Sequence, residues 1–282
     1  MTIIAAVAAG IGCSLCNGIS TVQQKVGADD ESKVRSFDLT LLLRLLKDTP
    51  YVLGTLLAIF GYGLSLIALR VLPLFLVQSL IAASVIVTAI GERIFLRKRK
   101  FSKQTYLALA IVVAGLVLLS LSAVSGPAIV HNKTAKLIIE ISPIPLAAIG
   151  AIFIYIRNKL SAFVLAALGG LLFGNTSTIG RILIYPHPFW KIIENPLLYS
   201  LTISAILAQY LFIVSLQRTI ATKSNAIMIS MQTFGPAVCG LLFFDDKIRT
   251  GFQLVVLLGS LLVIVGSVGT AMAVDESPTA TI

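Results

Sequence analysis

Six amide side chains and one phenol stand inside otherwise apolar runs: Asn17, Tyr62, Gln78, Asn175, Gln209, Asn225 and Gln232. An amide offers donors and an acceptor without a charge. Such a set suits holding a small solute by hydrogen bonds rather than making or breaking bonds. Asn225, Gln232, Pro236 and Cys239 follow one another at spacings of seven, four and three, which puts them on one face of a helix. The reading that follows is a central cavity lined by these seven residues. Its competitor is that each amide bonds a neighbouring helix, which accounts for about half of such groups.

Titratable and nucleophilic residues are sparse where a reaction would need them. Glu92, Asp245 and Asp246 fall at the ends of apolar runs, and only Glu140 lies inside one, about a turn from its start. A dehydrated Mg²⁺ site wants carboxylate oxygens and a proton relay wants a buried titratable group, so Glu140 is the one candidate ion or proton site. The plainer account makes it a helix-end carboxylate beside Lys136. Glu92 is expected to pair with Arg93 or the basic run that follows it. Cys13 and Cys16 form C-x-x-C, and Cys239 stands alone, all within apolar stretches. They read as small packing residues, because a redox pair needs a low thiol pKa that an apolar helix does not provide. His131 and His187 both fall in loops. With no nucleophile, base or ligand cluster at depth, no enzyme activity, cofactor or metal site is expected.

These residues must be positioned by membrane helices. Hydrophobic residues make up 57% of the 282, charged residues 12%, and mean hydropathy is +0.98, far from the roughly one-quarter charged composition of a soluble domain. Nine apolar spans are read in order: Thr2 to Val22, Tyr51 to Leu69, Val71 to about Arg93, Tyr106 to Ser122, Leu137 to Ile156, Leu160 to Ile179, Leu197 to Leu216, Ser224 to Phe244 and Phe252 to Val274. Gly27 to Ser36 reads as a polar loop. Phe37 to Lys47 is too short and too charged to cross, so it is expected as an amphipathic helix on the membrane surface. Pro50 fits the first turn of the second span, and Pro143 and Pro145 are expected to kink the fifth or end it early. The small-residue stripes Gly54, Ala58, Gly61, Ser65 and Gly259, Gly266, Thr270 read as packing faces. The net charge of +10 is assigned to helix ends beside lipid headgroups rather than to nucleic-acid binding.

An internal repeat organises the spans. Gly12 to Asn17 (GCSLCN) is matched by Gly170 to Asn175 (GLLFGN); Leu45 to Pro50 (LLKDTP) by Ile192 to Pro196 (IIENP); Gly91-Glu92-Arg93 by Phe244-Asp245-Asp246-Lys247. Ala108, Gly115 and Ser122 recur at sevens, as do Gly259, Gly266 and Ala273. The expected architecture is therefore all-α, nine transmembrane helices in a 4+1+4 plan. Residues 1–124 form the first repeat, with the surface segment at 37–47. Residues 125–158 hold the connecting helix, 159–274 the second repeat, and 275–282 a disordered tail. Equivalent helices lie five crossings apart, so the two halves have opposite orientation, as in many alternating-access transporters. The odd-numbered connections carry fifteen Lys and Arg and the even-numbered ones seven. The positive-inside rule then places the C-terminus in the cytoplasm and the N-terminus outside.

The repeat, the helix closing on Gly91-Glu92-Arg93 and the weaker Phe244-Asp245-Asp246 resemble the drug/metabolite transporter superfamily, whose EamA-type repeats often end this helix with Gly-Glu-Arg. The run Pro73 to Gln78 (PLFLVQ) and the nine-helix count are similar to a branch near the NIPA magnesium transporters. The resemblance covers essentially the whole chain through short apolar motifs. The expectation is a multi-pass secondary carrier of the cell membrane that moves a small organic or drug-like solute by alternating access, in contact with lipid and not nucleic acid. Two alternatives stand beside it: a divalent-cation transporter, which the resemblance implies, and a flippase for a lipid-linked headgroup. Oligomeric state is left open.

Overall fold

The computed structural model describes residues 3–31, 38, 40–69, 80–95, 102–124, 133–156, 158–184, 195–243 and 247–272. Its helices are α1 (Ile3–Asp30), α2 (Thr40–Leu45), α3 (Thr49–Leu69), α4 (Ser84–Phe95), α5 (Lys103–Ser122), α6 (Lys133–Ile141), α7 (Pro143–Tyr155), α8 (Lys159–Ile184), α9 (Leu197–Arg218), α10 (Ala221–Phe243) and α11 (Gln253–Met272). Among the described residues, five helical stretches are long and apolar enough to cross a membrane: Ile3–Asp30, Lys136–Tyr155, Leu160–Gly180, Leu197–Arg218 and Gln253–Thr270. Thr49–Ser65 and Lys103–Leu119 are shorter apolar helices.

The helices turn large apolar side chains outward, as a membrane-spanning bundle does. On α11, Leu254, Leu257, Leu258, Leu261, Val265 and Val268 all point outward and are exposed. Inside the bundle lie Ser14, Ser20, Gln24, Lys25, Thr88, Glu92, Asn225 and Ser230. Lipid tails are as apolar as a leucine side chain, so helices associate here through close packing and hydrogen bonds.

Close packing follows the small residues. A Cβ on Gly115 would lie 2.8 Å from the Gly259 carbonyl and 2.8 Å from the Val263 nitrogen, and one on Gly266 2.8 Å from the Val112 nitrogen. The two stripes at sevens therefore face each other and seat α5 directly on α11. Gly18 meets Val87 of α4, Gly54 meets the Ser20 carbonyl of α1, and Gly170 lies on the Met228 carbonyl of α10. The pairings form a pattern: α1 packs on α3 and α4, α8 packs on α9 and α10, and α4 packs on α10 as α5 does on α11.

Helix starts are fixed by local caps. The Tyr51 N–H donates to Asp48 Oδ1 at 2.8 Å and the Leu197 N–H to Asn195 Oδ1 at 3.1 Å, so matching polar residues open α3 and α9. Asn158 does the same for α8, accepting the Ser161 N–H at 2.7 Å.

Several boundaries differ from those read in the sequence. α1 continues through Lys25 to Asp30, where a loop was expected from Gly27. The Lys25–Asp29 ion pair at 2.6 Å and the burial of Ala28 support the extra turns. Phe37 to Lys47 narrows to a helix at Thr40–Leu45, with Leu41 and Leu45 fully buried against the bundle and Leu43 exposed. The third span is interrupted: the Ala83 N–H bonds Leu80 O at 3.1 Å, an i−3 turn, before α4 begins at Ser84. Its upstream part, with Gln78 and Pro73, lies outside the described residues, as do His131, His187, Asp245 and Asp246. The fifth span divides at Ser142 into α6 and α7, where Pro143 and Pro145 lack N–H donors. A two-residue antiparallel ladder that no local motif foretold joins β1 (Ala123–Val124) to β2 (Lys247–Ile248), with Ala123 opposite Ile248. The Arg249 N–H extends it to Ser122 O at 3.0 Å, and Gly251, at φ 84°, turns the chain into α11.

Candidate functional site

The polar residues at bundle depth divide by whether a neighbouring helix already uses them. Gln209 on α9 donates through Nε2 to Gln24 Oε1 of α1 and to the Tyr51 hydroxyl of α3, each at 3.2 Å. Gln24 in turn donates to Ser20 Oγ at 3.3 Å. Asn225 is 1% exposed, and its Nδ2 donates to Thr88 Oγ1 of α4 at 2.8 Å. Thr88 donates to Ser84 O at 2.9 Å and lies 3.3 Å from Gly18 O of α1. Asn175 Nδ2 reaches Ile139 O and Ser204 Oγ, each at 3.2 Å, which ties α8 to α6 and α9. Asn17 Nδ2 donates to Cys13 Sγ at 3.3 Å, and its Oδ1 borders Gly61 of α3.

Others keep spare capacity. Tyr62 is half exposed, and its hydroxyl reaches toward Gly180 of α8. Gln232 is half-buried. Neither side chain makes a hydrogen bond among the described residues. Ser84 Oγ, at the interruption before α4, is buried without a partner among the described residues, and buried Thr55 Oγ1, one turn beyond Tyr51, has only the Tyr51 hydroxyl beside it, outside good hydrogen-bond geometry. A buried hydroxyl without a partner is a position where water or a solute completes the hydrogen bonding. Nothing in the sequence marked Thr55 or Ser84 apart from the many other hydroxyls in these spans.

The face proposed for α10 meets different neighbours along its length. Asn225 looks toward α4, whereas Pro236 lies on Gly174 of α8 and Cys239 packs with Ile139, Ile179, Leu183 and Leu197. Glu140 is half-buried; its backbone carbonyl accepts from Ser200 Oγ at 2.8 Å, and no ion pair joins it to Lys136. Among the described residues no group of three or more His, Cys, Asp or Glu could hold a metal ion. Gln78 lies outside the described residues.

Charged residues at one end of the bundle hold helix termini. Glu92 is 8% exposed. Its Oε1 accepts the Ala221 N–H at 3.0 Å, and its Oε2 accepts the Thr222 N–H at 2.8 Å and Thr222 Oγ1 at 2.6 Å. Glu92 thus caps the first turn of α10 instead of pairing with Arg93, and the basic run Arg97 to Lys100, the other expected partner, lies outside the described residues. Lys25, counted in the sequence among topogenic charges, is buried and donates to Leu216 O at the end of α9 at 2.6 Å. Arg218 donates to Ile154 O at 2.6 Å and to Phe153 O and Ile156 O at 3.1 Å, closing the end of α7. In each case the sign suits the helix dipole: an anion at an N-terminus, cations at C-termini. Only the Lys25–Asp29 spacing of four was visible in the chain, and it fell in a segment read as loop.

No family model, no curated protein and no solved structure matches this chain. The functional reading therefore rests on geometry and sequence pattern alone.

Proposed function

We propose that the protein is a secondary carrier for a small, uncharged or zwitterionic organic solute, working by alternating access between two inverted four-helix halves. The observation that carries this reading is the line of neutral polar groups between those halves. Tyr62 of α3 approaches α8, Gln209 of α9 meets Gln24 of α1, and Asn225 of α10 meets Thr88 of α4. Amides and hydroxyls of this kind bind a solute by hydrogen bonds and release it readily, because no strong charge has to be separated. Three further features support the inverted repeat: the matched pairings of α1 and α8, the matched caps Asp48 and Asn195, and the facing stripes of α5 and α11. The nine-span topology, with a cytoplasmic C-terminus in the cell membrane, belongs to the same proposal.

The contact residues in this reading are those with spare hydrogen-bonding capacity: Tyr62, Gln232, Thr55 and Ser84. Asn175, Gln209 and Asn225 position the helices around them. A thermal-shift screen of metabolites on the purified protein tests this, since a ligand that binds only the folded state raises the melting temperature. Stabilisation by an organic ligand should be lost in Tyr62→Phe or Gln232→Ala and retained in Asn175→Ala, which lowers only the baseline stability. Ligand stabilisation that survives both contact substitutions would refute this lining. Robust Mg²⁺ uptake by proteoliposomes, with no organic ligand found, would replace the reading by cation transport.

A further inference from the structure

We propose that Glu92 and Lys25 form a latch that holds one end of the bundle shut, and that both release when the site opens to that side. The proposal rests on the alternating-access reading above and concerns how access is controlled. Among the described residues, Glu92 of α4 accepts three hydrogen bonds from Ala221 and Thr222 of α10, and Lys25 of α1 donates one to Leu216 O of α9, so these contacts at this end cross between the proposed halves. They converge on the short link between α9 and α10, one on each side of it. Two of the donors that Glu92 satisfies are backbone N–H groups of the first turn of α10, which have no partner within their own helix, and the third is the Thr222 hydroxyl.

Physical chemistry suits such contacts to opening. Buried and dry, a charge on a helix terminus binds strongly because the local dielectric is low. If the gap widens, water enters from the adjacent headgroup region and hydrates the carboxylate, the ammonium and the freed backbone groups together. A charged tie at the bundle end is therefore firm when closed and inexpensive to release. The contact between α5 and α11 has the opposite character. Its glycines bring backbone against backbone, and the ladder of Ala123–Val124 with Lys247–Ile248 joins the far ends of the same region. The buried hydroxyls of Ser122 and Thr270 bond carbonyls of their own helices rather than of the facing one, so the seam stays together while the latch end moves. Arg218 is left out of the latch, because its bonds to Ile154 O and Ser161 Oγ tie α7 and α8 to α9 and do not join the two halves.

The test is a pair of distance measurements by pulsed electron paramagnetic resonance on the full chain in nanodiscs, with Cys13, Cys16 and Cys239 first replaced by alanine. One label pair, at the exposed positions Ile94 and Leu160, reports the latch end. The other, at the exposed positions Ile67 and Tyr199, reports the opposite end. Glu92→Ala should lengthen the first distance by on the order of 5 Å, about one helical turn, without lengthening the second, and Lys25→Met should act in the same direction. If Glu92→Ala does not yield folded protein, Glu92→Gln, which loses the charge and one acceptor oxygen, carries the same test. An unchanged Ile94–Leu160 distance, or equal broadening at both ends, overturns the latch and leaves Glu92 an ordinary helix cap. Because the readout needs no solute, a shift in these distances with no ligand ever found would refute the carrier reading and not the latch.

Discussion

Replacing Gly115 by alanine should destabilise the protein, and the same change at Gly63 should not. A methyl group on Gly115 would sit 2.8 Å from the Gly259 carbonyl oxygen and the Val263 nitrogen, whereas ordinary contact begins at 3.4 Å. The shortfall is 0.6 Å against two backbone atoms, which cannot rotate away as a side chain would. α5 and α11 must separate locally by about that distance, and a gap of 0.5–1 Å forfeits roughly a quarter to a half of each contact's dispersion energy. Overpacking of this kind costs about 1–3 kcal/mol. Alanine in place of glycine within a helix returns about 0.5–1 kcal/mol, leaving a net loss of about 0.5–2 kcal/mol. Gly63 has nothing within 4 Å of its Cβ position, so there only the gain remains. Melting in a mild detergent, followed by scanning fluorimetry, should place Gly115→Ala several degrees below the parent, at roughly 2–4 °C per kcal/mol. Gly63→Ala should melt at or slightly above the parent. Equal melting temperatures for the two variants would refute the claim that backbone contact between α5 and α11 holds this bundle together.

Gln209→Leu removes the donor shared by Gln24 Oε1 and the Tyr51 hydroxyl and should lower stability by about 1 kcal/mol, the scale of interhelical hydrogen bonds in membranes; an unchanged melting temperature would count against a connected network. A pH effect is expected at the start of α2. The Thr40 hydroxyl and N–H, together with Arg44, hold the exposed Asp38 carboxyl below the usual carboxylate range. Its folded value is thus depressed, so ionised Asp38 favours the ordered segment above the ordinary aspartate value of about 3.9, and that contribution is lost as pH falls through the lower folded value. Amide exchange across Thr40–Leu45, corrected for its intrinsic rate, should therefore accelerate between about pH 5 and pH 2, and Asp38→Asn should remove the difference.

Several features of this fold are properties of contiguous residues and can be read without a structure. Most span positions follow from apolar length. The caps Asp48 and Asn195 act within three residues of themselves, and Pro143 breaks its own helix by lacking a donor. The small-residue stripe Gly259, Gly266 and Thr270 of α11 was likewise legible as a packing face, because only small residues let backbones meet.

Tertiary structure decided which side of each helix faces what. In water an amphipathic pattern separates the buried face from the exposed one; in hydrocarbon both faces are apolar, so the pattern on α11 says nothing of which leucines meet lipid. For the same reason the amides of the chain looked alike, and only packing separated Asn175, Gln209 and Asn225, whose donors are engaged, from Tyr62 and Gln232, which retain capacity. Thr55 and Ser84 stood out only once their surroundings were known. Glu92 could not be assigned from its neighbours in sequence, since its partners Ala221 and Thr222 lie some 130 residues away. Lys25 depended on a helix that continues two turns past the point where apolar residues stop. Composition and local chemistry thus determined the spans of this protein, while contacts between distant helices determined where its polar groups point.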